Sequence, residues 1–240
     1  MAILPRPDAG CAVFFDFDGT LVDLAARPDL VHVPQALPHQ LARLAAQLDG
    51  ALALVSGRPV AQIDGFLQPV VLPVAGVHGA ERRAHDGTTS RLQLPGLDVV
   101  ADRLQAWCDR HPELLLERKP AAIALHYRGA DELEEQCVAA MTQAARELPE
   151  MSLMHGKKVL ELKPKAANKG SALRAFLAEP PFADRKPFFF GDDVTDEAGF
   201  EAVQQLGGVA VKVGEGESLA SYRLAGPAAV RQWLQAQLDG

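Results

Sequence analysis

The segment Cys11–Leu21, with the sequence CAVFFDFDGTL, is the most informative part of the chain. An apolar run typical of a β-strand ends in Asp16 and Asp18, and the turn residues Gly19 and Thr20 follow at once. Side chains at positions i and i+2 of a strand project to the same face, so the two carboxylates repel each other unless a cation lies nearby. A hard cation such as Mg²⁺, which is held by one or two carboxylates together with substrate phosphate, resolves this conflict. Gly19 permits a tight turn and Thr20 offers a hydroxyl and a backbone N–H to an anion, although an ordinary polar turn explains the same residues.

Three further motifs follow in an order that supports a phosphate site. They are Ser56-Gly57-Arg58 after the apolar run 51–55, Asn168-Lys169-Gly170 before an amphipathic stretch, and Asp192, Asp193 and Asp196 after the apolar run 187–190. Ligands of open α/β sheets bind beyond the carboxyl ends of the strands. Three of the four motifs are therefore predicted to meet at one sheet edge, which Lys169 reaches from the start of a helix. The ordered set resembles the haloacid-dehalogenase-like phosphohydrolase superfamily, whose motifs are Asp-x-Asp, Ser/Thr, Lys and an acidic pair.

These residue types suit phosphoryl transfer through a covalent intermediate. Asp16 is the candidate nucleophile, because a carboxylate can attack phosphorus and form an aspartyl phosphate. Asp18 is the candidate acid/base, which protonates the leaving oxygen and later activates water. The charge on the phosphoryl oxygens requires cations and N–H donors, a role predicted for Ser56 and Lys169. The simpler interpretations are a polar strand end for Ser56 and a solvated lysine for Lys169.

The remaining residues of the motifs are assigned to supporting roles. We predict that Asp192 binds Mg²⁺ together with Asp16 and Asp18. Asp193 and Asp196 are expected to support these ligands, with Asp193 orienting Lys169 or a bound water, while helix capping is the simpler interpretation of Asp196. Four residues are expected to contact the phosphorylated substrate beside these motifs: Gly19, Thr20, Gly57 and Arg58.

Apolar strands alternate with helical patterns at both ends of the chain, which predicts an α/β fold with a Rossmann-like parallel sheet. Strands are predicted at 12–17, 51–55, 70–75, 187–190 and 209–213, and helices at 37–48, 60–66, 168–177, 195–206 and 228–238. The expected N-caps are Asn168 and Thr195 for the helices that start there. The middle of the chain differs, with a hairpin signal at Asp86-Gly87 followed by two αββ units. We therefore expect residues 1–94 and 164–240 to form the core and residues 95–163 to form an inserted α+β cap.

Composition limits the classes of protein that remain. The chain has 240 residues, of which 48% are apolar, and a net charge of −7. A large apolar fraction argues against disorder, and an acidic chain without a basic run argues against nucleic acid as the partner. Three widely spaced cysteines suit a reducing compartment, and neither a signal peptide nor a membrane-spanning run is evident. We expect a cytoplasmic monomer that binds a small-molecule sugar phosphate and no membrane.

Three segments narrow the resemblance to trehalose-6-phosphate phosphatases. Residues 191–197, GDDVTDE, are similar to that family's fourth motif, Gly-Asp-Asp-x-Thr-Asp-Glu. Glu117-Arg118-Lys119 resembles its Glu-x-Lys pair, and residues 156–161, GKKVLE, resemble its second Lys-and-Glu pair. The resemblance implies that four residues bind the sugar hydroxyls: Glu117, Lys119, Lys157 and Glu161. Without it, charges on an exposed strand face are usually solvated cross-strand pairs.

The resemblance implies an Mg²⁺-dependent hydrolase that releases trehalose and phosphate from trehalose 6-phosphate through a phospho-Asp16 intermediate. His78 is a further candidate for contact with the substrate, and a turn histidine is an equal interpretation. Two other functions stay open. The chain could hydrolyse another sugar phosphate, such as sucrose phosphate or glucosyl- or mannosylglycerate phosphate, or it could be a non-catalytic sugar-phosphate sensor.

Overall fold

A computed structural model of the chain describes residues 4–25, 27 and 30–239. The chain divides into two compact units. The core unit comprises Met1–Ser90 and Asn168–Gly240, and the inserted unit comprises Arg91–Ala167. Among the residues that the structure describes, no helix combines the length and the apolar character needed to cross a bilayer.

The described residues form twelve strands and seven helices. The strands are β1 (Cys11–Phe15), β2 (Leu52–Val55), β3 (Val74–Gly76), β4 (Glu81–Arg83), β5 (Thr89–Arg91), β6 (Leu115–Lys119), β7 (Ala122–His126), β8 (Met151–Gly156), β9 (Val159–Pro164), β10 (Lys186–Gly191), β11 (Val209–Val213) and β12 (Tyr222–Leu224). The helices are α1 (Leu37–Gln47), α2 (Val60–Leu67), α3 (Leu97–Cys108), α4 (Glu134–Glu147), α5 (Lys169–Leu177), α6 (Glu197–Gln205) and α7 (Pro227–Leu238).

The core unit is built on one large, mostly parallel sheet with the strand order β12-β11-β10-β1-β2-β3-β4-β5. Strands β12 to β3 pair in parallel, and β4 turns antiparallel to β3. The central strands β1 and β2 are buried along their whole length, as expected for strands that are covered on both faces. Phe15 of β1 stacks on Phe190 of β10 at a ring-centroid distance of 4.8 Å. The predicted α/β fold with a parallel core sheet is confirmed.

The inserted unit has the element order α3-β6-β7-α4-β8-β9, which is the predicted doubled αββ pattern. Its four strands form an antiparallel sheet in the order β6-β7-β9-β8. Alternate side chains of the strands, among them Leu116, Leu125 and Leu162, join the apolar cluster that includes buried residues of α3 and α4. Side chains in between project to the opposite face of the sheet. That face carries the polar residues described below.

Some element boundaries differ from the sequence prediction for local reasons. Residues 70–73 are not a strand, since β3 starts only at Val74. Pro69 precedes this segment and Pro73 is its last residue, and a proline has no N–H to donate to a β-ladder. Strand β12 was not predicted, because its three residues are partly or fully exposed and do not form an apolar run.

The two predicted helix starts have different outcomes. The side chain of Asn168 accepts a hydrogen bond from the Ser171 N–H at 2.8 Å, which confirms Asn168 as the N-cap of α5. The prediction for Thr195 is wrong. Asp193 caps a 3₁₀ turn over Val194–Asp196, and helix α6 begins after it. An aspartate is at least as favourable at an N-cap as a threonine is. Asp193, which precedes Thr195, therefore provides the cap.

Candidate active site

Three carboxylates meet at the carboxyl edge of the core sheet. Asp16 follows β1 and Asp192 follows β10, and these neighbouring strands run in parallel, so their ends lie side by side. Asp196 comes from the 3₁₀ turn after β10. The carboxylate oxygens of these three residues, which we call the acidic cluster, lie within 4.8 Å of one another.

Lys169 provides the positive charge of the acidic cluster. Its Nζ lies 2.6 Å from Oδ1 of Asp16 and 2.7 Å from Oδ1 of Asp196. Because Asn168 caps helix α5, Lys169 is the first residue of that helix. The side chains of Asp16, Lys169 and Asp196 are 6%, 3% and 0% exposed, respectively. The simpler interpretation of Lys169 as a solvated lysine is wrong, since its ammonium is buried against two carboxylates.

Burial and neighbouring charges shift the pKa values of Asp16, Asp192 and Lys169. Burial raises the pKa of Asp16 well above its usual range; the Lys169 ammonium opposes this effect, while Asp196 and Asp192 add to it. Burial, followed by repulsion from Asp196, raises the pKa of Asp192 to about 6. For Lys169, burial favours a lower pKa, but the carboxylates of Asp16 and Asp196 outweigh it and raise the pKa above its ordinary value. One ammonium in direct contact does not balance three carboxylates, two of which are buried, and a bound cation relieves this situation.

The donor chemistry of the acidic cluster fits a divalent hard cation. All three candidate ligands are carboxylate oxygens, and oxygen ligands select Mg²⁺ or Ca²⁺ over softer metals. Gly19 leaves the space that this arrangement needs. Its φ is +76°, and a Cβ atom built there would lie 2.1 Å from Oδ2 of Asp192. The buried Thr20 directs its hydroxyl toward Oδ1 of Asp192 at 3.4 Å.

Asp18 lies apart from the acidic cluster, which differs from the expectation that Asp16 and Asp18 share a face. Strand β1 ends at Phe15, so the alternation of a strand does not extend to Asp18. Its two carboxylate oxygens instead accept hydrogen bonds from Nε and Nη2 of Arg58 at 2.6 and 2.7 Å. The Arg58 guanidinium also donates to Oε1 of Gln62 at 3.1 Å and lies 5.0 Å from the ring centroid of Phe66.

Next to Arg58, the loop that follows β2 packs against the turn that follows β3. Ser56 and Gly57 lie in the loop, and His78 lies in the turn. The Ser56 Oγ accepts a hydrogen bond from the Arg58 N–H at 3.1 Å, and the Ser56 carbonyl accepts one from the His78 N–H at 2.9 Å. The His78 ring packs so closely on Gly57 that a Cβ atom there would lie 2.8 Å from it. Val77 and His78 have φ values of 50° and 56°. Two consecutive non-glycine residues in this left-handed region are uncommon, and a β-branched valine is especially rare there. The fold therefore holds Val77 and His78 in a strained backbone conformation.

The two acids predicted to support the ligands exchange roles in the structure. Asp196, and not Asp193, contacts Lys169, and Oδ2 of Asp196 also accepts the N–H groups of Asp192 and Asp193 at 3.1 and 3.0 Å. Asp193 is exposed and caps the 3₁₀ turn by accepting the Val194 N–H. Acids at a helix start resemble caps in any sequence, so the pattern gave no signal that separates these roles.

The inserted unit brings together three of the four residues that were assigned to the sugar. In the strand register, Glu117 of β6 and Glu161 of β9 flank Ala124 of β7, so all three lie on one face of the sheet. Lys119 shares this face and contacts Oε1 of Glu161 at 2.7 Å. Lys157 lies on the exposed turn between β8 and β9.

His126 is a member of this face that the sequence analysis missed. Its Nε2 lies 3.1 Å from Oε2 of Glu117, and this hydrogen bond lowers the pKa of Glu117. The sequence could have indicated this role, because His126 lies two residues beyond Ala124 in strand β7 and its side chain therefore projects to the same face. We call Glu117, Lys119, His126 and Glu161 the polar sheet face.

Comparisons with known proteins identify similar sequences and folds. A family model described as trehalose-phosphatase matches residues 14–228. A trehalose-6-phosphate phosphatase of Escherichia coli strain K12 is 44% identical over 235 residues, which cover 96% of this chain and 88% of that protein. A solved structure described as a trehalose-6-phosphate phosphatase related protein is 28% identical with a TM-score of 0.81, covering 94% of this chain and 96% of that one.

The fold is shared with a more distant solved structure. A haloacid dehalogenase-like hydrolase from Bacteroides thetaiotaomicron is 15% identical to this chain with a TM-score of 0.67. The likeness covers 94% of this chain and 98% of the other. At this identity the likeness concerns the fold alone, and it extends over both units of the chain.

Proposed function

The chain belongs to the trehalose-phosphatase family, and from this membership we propose that it hydrolyses trehalose 6-phosphate to trehalose and phosphate through an aspartyl-phosphate intermediate with Mg²⁺ as cofactor. Members of this family are phosphoric monoester hydrolases. The observation that carries the mechanism is the buried contact of Lys169 with Asp16 and Asp196 beside Asp192. It combines an attacking carboxylate, a fixed cation and a set of metal ligands within one cluster.

In the proposed reaction the Asp16 carboxylate attacks phosphorus, and the bond between phosphorus and the sugar oxygen breaks. Asp18 gives a proton to the departing oxygen and then takes one from the water that attacks the phosphoryl group. Phosphate is released, and Asp16 returns to its starting state. Asp16 and Asp192 would hold Mg²⁺, which would draw charge from the phosphoryl oxygens. Asp18, a ligand in the sequence prediction, is paired with Arg58 and lies outside this ligand set.

The chain's own donors supply the remaining charge stabilisation. The Lys169 ammonium neutralises the phosphoryl oxygens while Asp196 fixes its position. The hydroxyls of Thr20 and Ser56 offer hydrogen-bond donors to the same oxygens, whereas the Gly19 N–H donates to the Val22 carbonyl at 2.8 Å. Arg58 holds both oxygens of Asp18, so Asp18 must leave this ion pair before it can carry a proton to the departing oxygen.

We further propose that the inserted unit is the cap that recognises the sugar. A disaccharide presents hydroxyls that are both donors and acceptors, and the polar sheet face offers carboxylate acceptors and a lysine donor side by side. Lys157 on the β8–β9 turn adds a second donor. His78 completes the set of candidate sugar contacts from the core unit. In this proposal the core unit performs the chemistry and the inserted unit determines the substrate.

A panel of sugar phosphates tests the proposed function. We expect phosphate release from trehalose 6-phosphate at a kcat/KM at least tenfold above that for glucose 6-phosphate, sucrose 6-phosphate and glucosylglycerate phosphate. EDTA should abolish release and added Mg²⁺ should restore it. A higher rate with another sugar phosphate would identify that compound as the substrate, and binding without turnover would favour a sensor. We also propose that the protein is a monomer located in the cytoplasm. Gel filtration would test the oligomeric state, and cell fractionation would test the location.

A further inference from the structure

Lys212 is a buried lysine with no role in the mechanism above. It lies in β11, whose sequence is VAVKV, and it is 6% exposed. A lysine is rarely buried to this extent unless it is paired. In the strand register Lys212 is opposite Gly191, the residue that immediately precedes Asp192. The lysine therefore lies at the carboxyl edge of the sheet, next to the turn that carries the acidic cluster.

The Lys212 Nζ donates a hydrogen bond to the backbone carbonyl of Asp192. Within the part of the chain that the structure describes, no carboxylate forms an ion pair with Lys212. Burying an ammonium costs free energy unless other groups compensate, and one carbonyl dipole compensates only in part. The residue that supplies this carbonyl, Asp192, also carries a carboxylate of the acidic cluster, and a negative charge near the ammonium reduces the cost of burying it.

Asp192 is consequently held at three points. Its carbonyl accepts from Lys212, its N–H donates to Oδ2 of Asp196 at 3.1 Å, and its carboxylate faces the Thr20 hydroxyl at 3.4 Å. The first two contacts fix the backbone on either side of the Cα atom, so they determine the direction of the side chain. A carboxylate that binds a metal ion needs such a fixed direction.

We propose that Lys212 is a positioning residue of the active site, which anchors the backbone of Asp192 and places a second buried positive charge, after Lys169, beside the acidic cluster. This inference rests on the proposed function, in which Asp192 is a metal ligand. The positive charge of Lys212 attracts the doubly negative phosphate and so strengthens its binding. The anchored backbone of Asp192 keeps the carboxylate in position to hold the metal ion, which strengthens phosphate binding as well. Removing the lysine should therefore weaken phosphate binding by both routes.

The test compares Lys212→Met, which removes both the donor and the charge, with Lys212→Arg, which keeps both. Lys186→Met is the matched control, because Lys186 is exposed at the opposite end of the neighbouring strand β10. The probe is inorganic phosphate at saturating Mg²⁺, with its dissociation constant measured by calorimetry or ³¹P NMR. Steady-state rates with trehalose 6-phosphate and with p-nitrophenyl phosphate are measured in parallel, and circular dichroism verifies the fold.

For Lys212→Met we expect the dissociation constant of phosphate to rise about tenfold and kcat to fall ten- to a hundredfold with both substrates. Lys212→Arg should recover most of both losses, and Lys186→Met should match the parent. Unchanged phosphate binding in a folded Lys212→Met variant, with only a lower melting temperature, would overturn the inference. If Lys212→Met does not fold, Lys212→Gln takes its place, and unchanged phosphate binding and kcat in that neutral variant would overturn the inference too. A parent protein that releases no phosphate from trehalose 6-phosphate with Mg²⁺ would instead refute the proposed function itself.

Discussion

The acidic cluster of the core unit and the polar sheet face of the inserted unit both consist of carboxylates paired with cationic groups. They differ in how much water reaches them. The side chains of Lys169 and Asp196 are 3% and 0% exposed. On the polar sheet face the exposure rises from 9% and 11% for Glu161 and Lys119 to 22% and 23% for Glu117 and His126. Charges interact more strongly where water is excluded, and a partly exposed pair exchanges partners at smaller cost. The more buried region is thus suited to fixed chemistry, and the partly exposed one to contacts that a ligand can replace.

The largest expected effect comes from neutralising the attacking group in the buried region. Asp16→Asn keeps the shape of the side chain but removes the nucleophile and a metal ligand, so we expect kcat to fall by about 10⁴-fold or more. The loss should be equal for trehalose 6-phosphate and p-nitrophenyl phosphate. Asp23→Asn, at an exposed aspartate seven residues further along, is the control. Activity of Asp16→Asn above a tenth of the parent would contradict the covalent mechanism.

A smaller effect should appear in the pH dependence of stability without metal. The pKa of Asp192 is about 6, above its ordinary value of 3.8, so the folded protein binds this proton more tightly than the unfolded chain. The contribution is fully present below pH 3.8 and is lost as pH rises through about 6. It amounts to at most about 3 kcal/mol, and partial access of water reduces our expectation to about 2 kcal/mol.

Chemical denaturation between pH 4 and pH 7 measures this contribution as a difference between the parent and Asp192→Asn. The unfolding free energy of the parent should fall relative to that of the variant as pH rises. Mg²⁺ at pH 7 should restore the loss in the parent, because a ligand that binds only the folded state stabilises it. Parallel curves for the two proteins would show that the Asp192 carboxylate is not subject to the burial and charge repulsion that we assign to the acidic cluster.

The polar sheet face should respond to substitution with one substrate only. In Glu161→Gln the hydrogen bond to a sugar hydroxyl loses its charge, which costs about 1.5 kcal/mol or roughly tenfold in kcat/KM for trehalose 6-phosphate. Hydrolysis of p-nitrophenyl phosphate, which has no sugar, should change little. Glu113→Gln replaces an exposed glutamate of the same unit and serves as the control. Equal damage to both substrates would remove the distinction between the two regions.

The smallest effect is expected at Lys157, the most exposed of the candidate sugar contacts. An exposed charged contact contributes about 1 kcal/mol or less, so Lys157→Ala should raise KM for trehalose 6-phosphate by about fivefold at most. Raising the salt concentration should reduce the difference between parent and variant, because salt screens exposed charges. A loss as large as that of Glu161→Gln would show that Lys157 becomes buried when the substrate binds.

The sequence predicted those features that depend on local pattern. Strand β1 and the acids after it were identifiable because an apolar run stops abruptly at Asp16, and Asn168 is an N-cap type directly before an amphipathic helix. Features that depend on where the chain lies in space were not identifiable. The separation of Asp18 from Asp16 arises because β1 ends one residue before Asp16, and the sequence pattern does not show that end. The contact between Asp196 and Lys169 joins residues 27 positions apart, and the pairing of His126 with Glu117 depends on the strand register.

The way in which the inserted unit joins the core unit has a consequence for the exchange of modules between proteins. The core unit is interrupted once, and the chain re-enters it at Asn168, which caps the helix that begins with Lys169. The outgoing junction lies at β5, whose residues are exposed, so insertions there have room. At the returning junction no spare residue separates the inserted unit from the helix cap. A chimaera with a different inserted unit can therefore vary in length at the first junction. At the second junction the last residue of the new unit must be followed directly by Asn168.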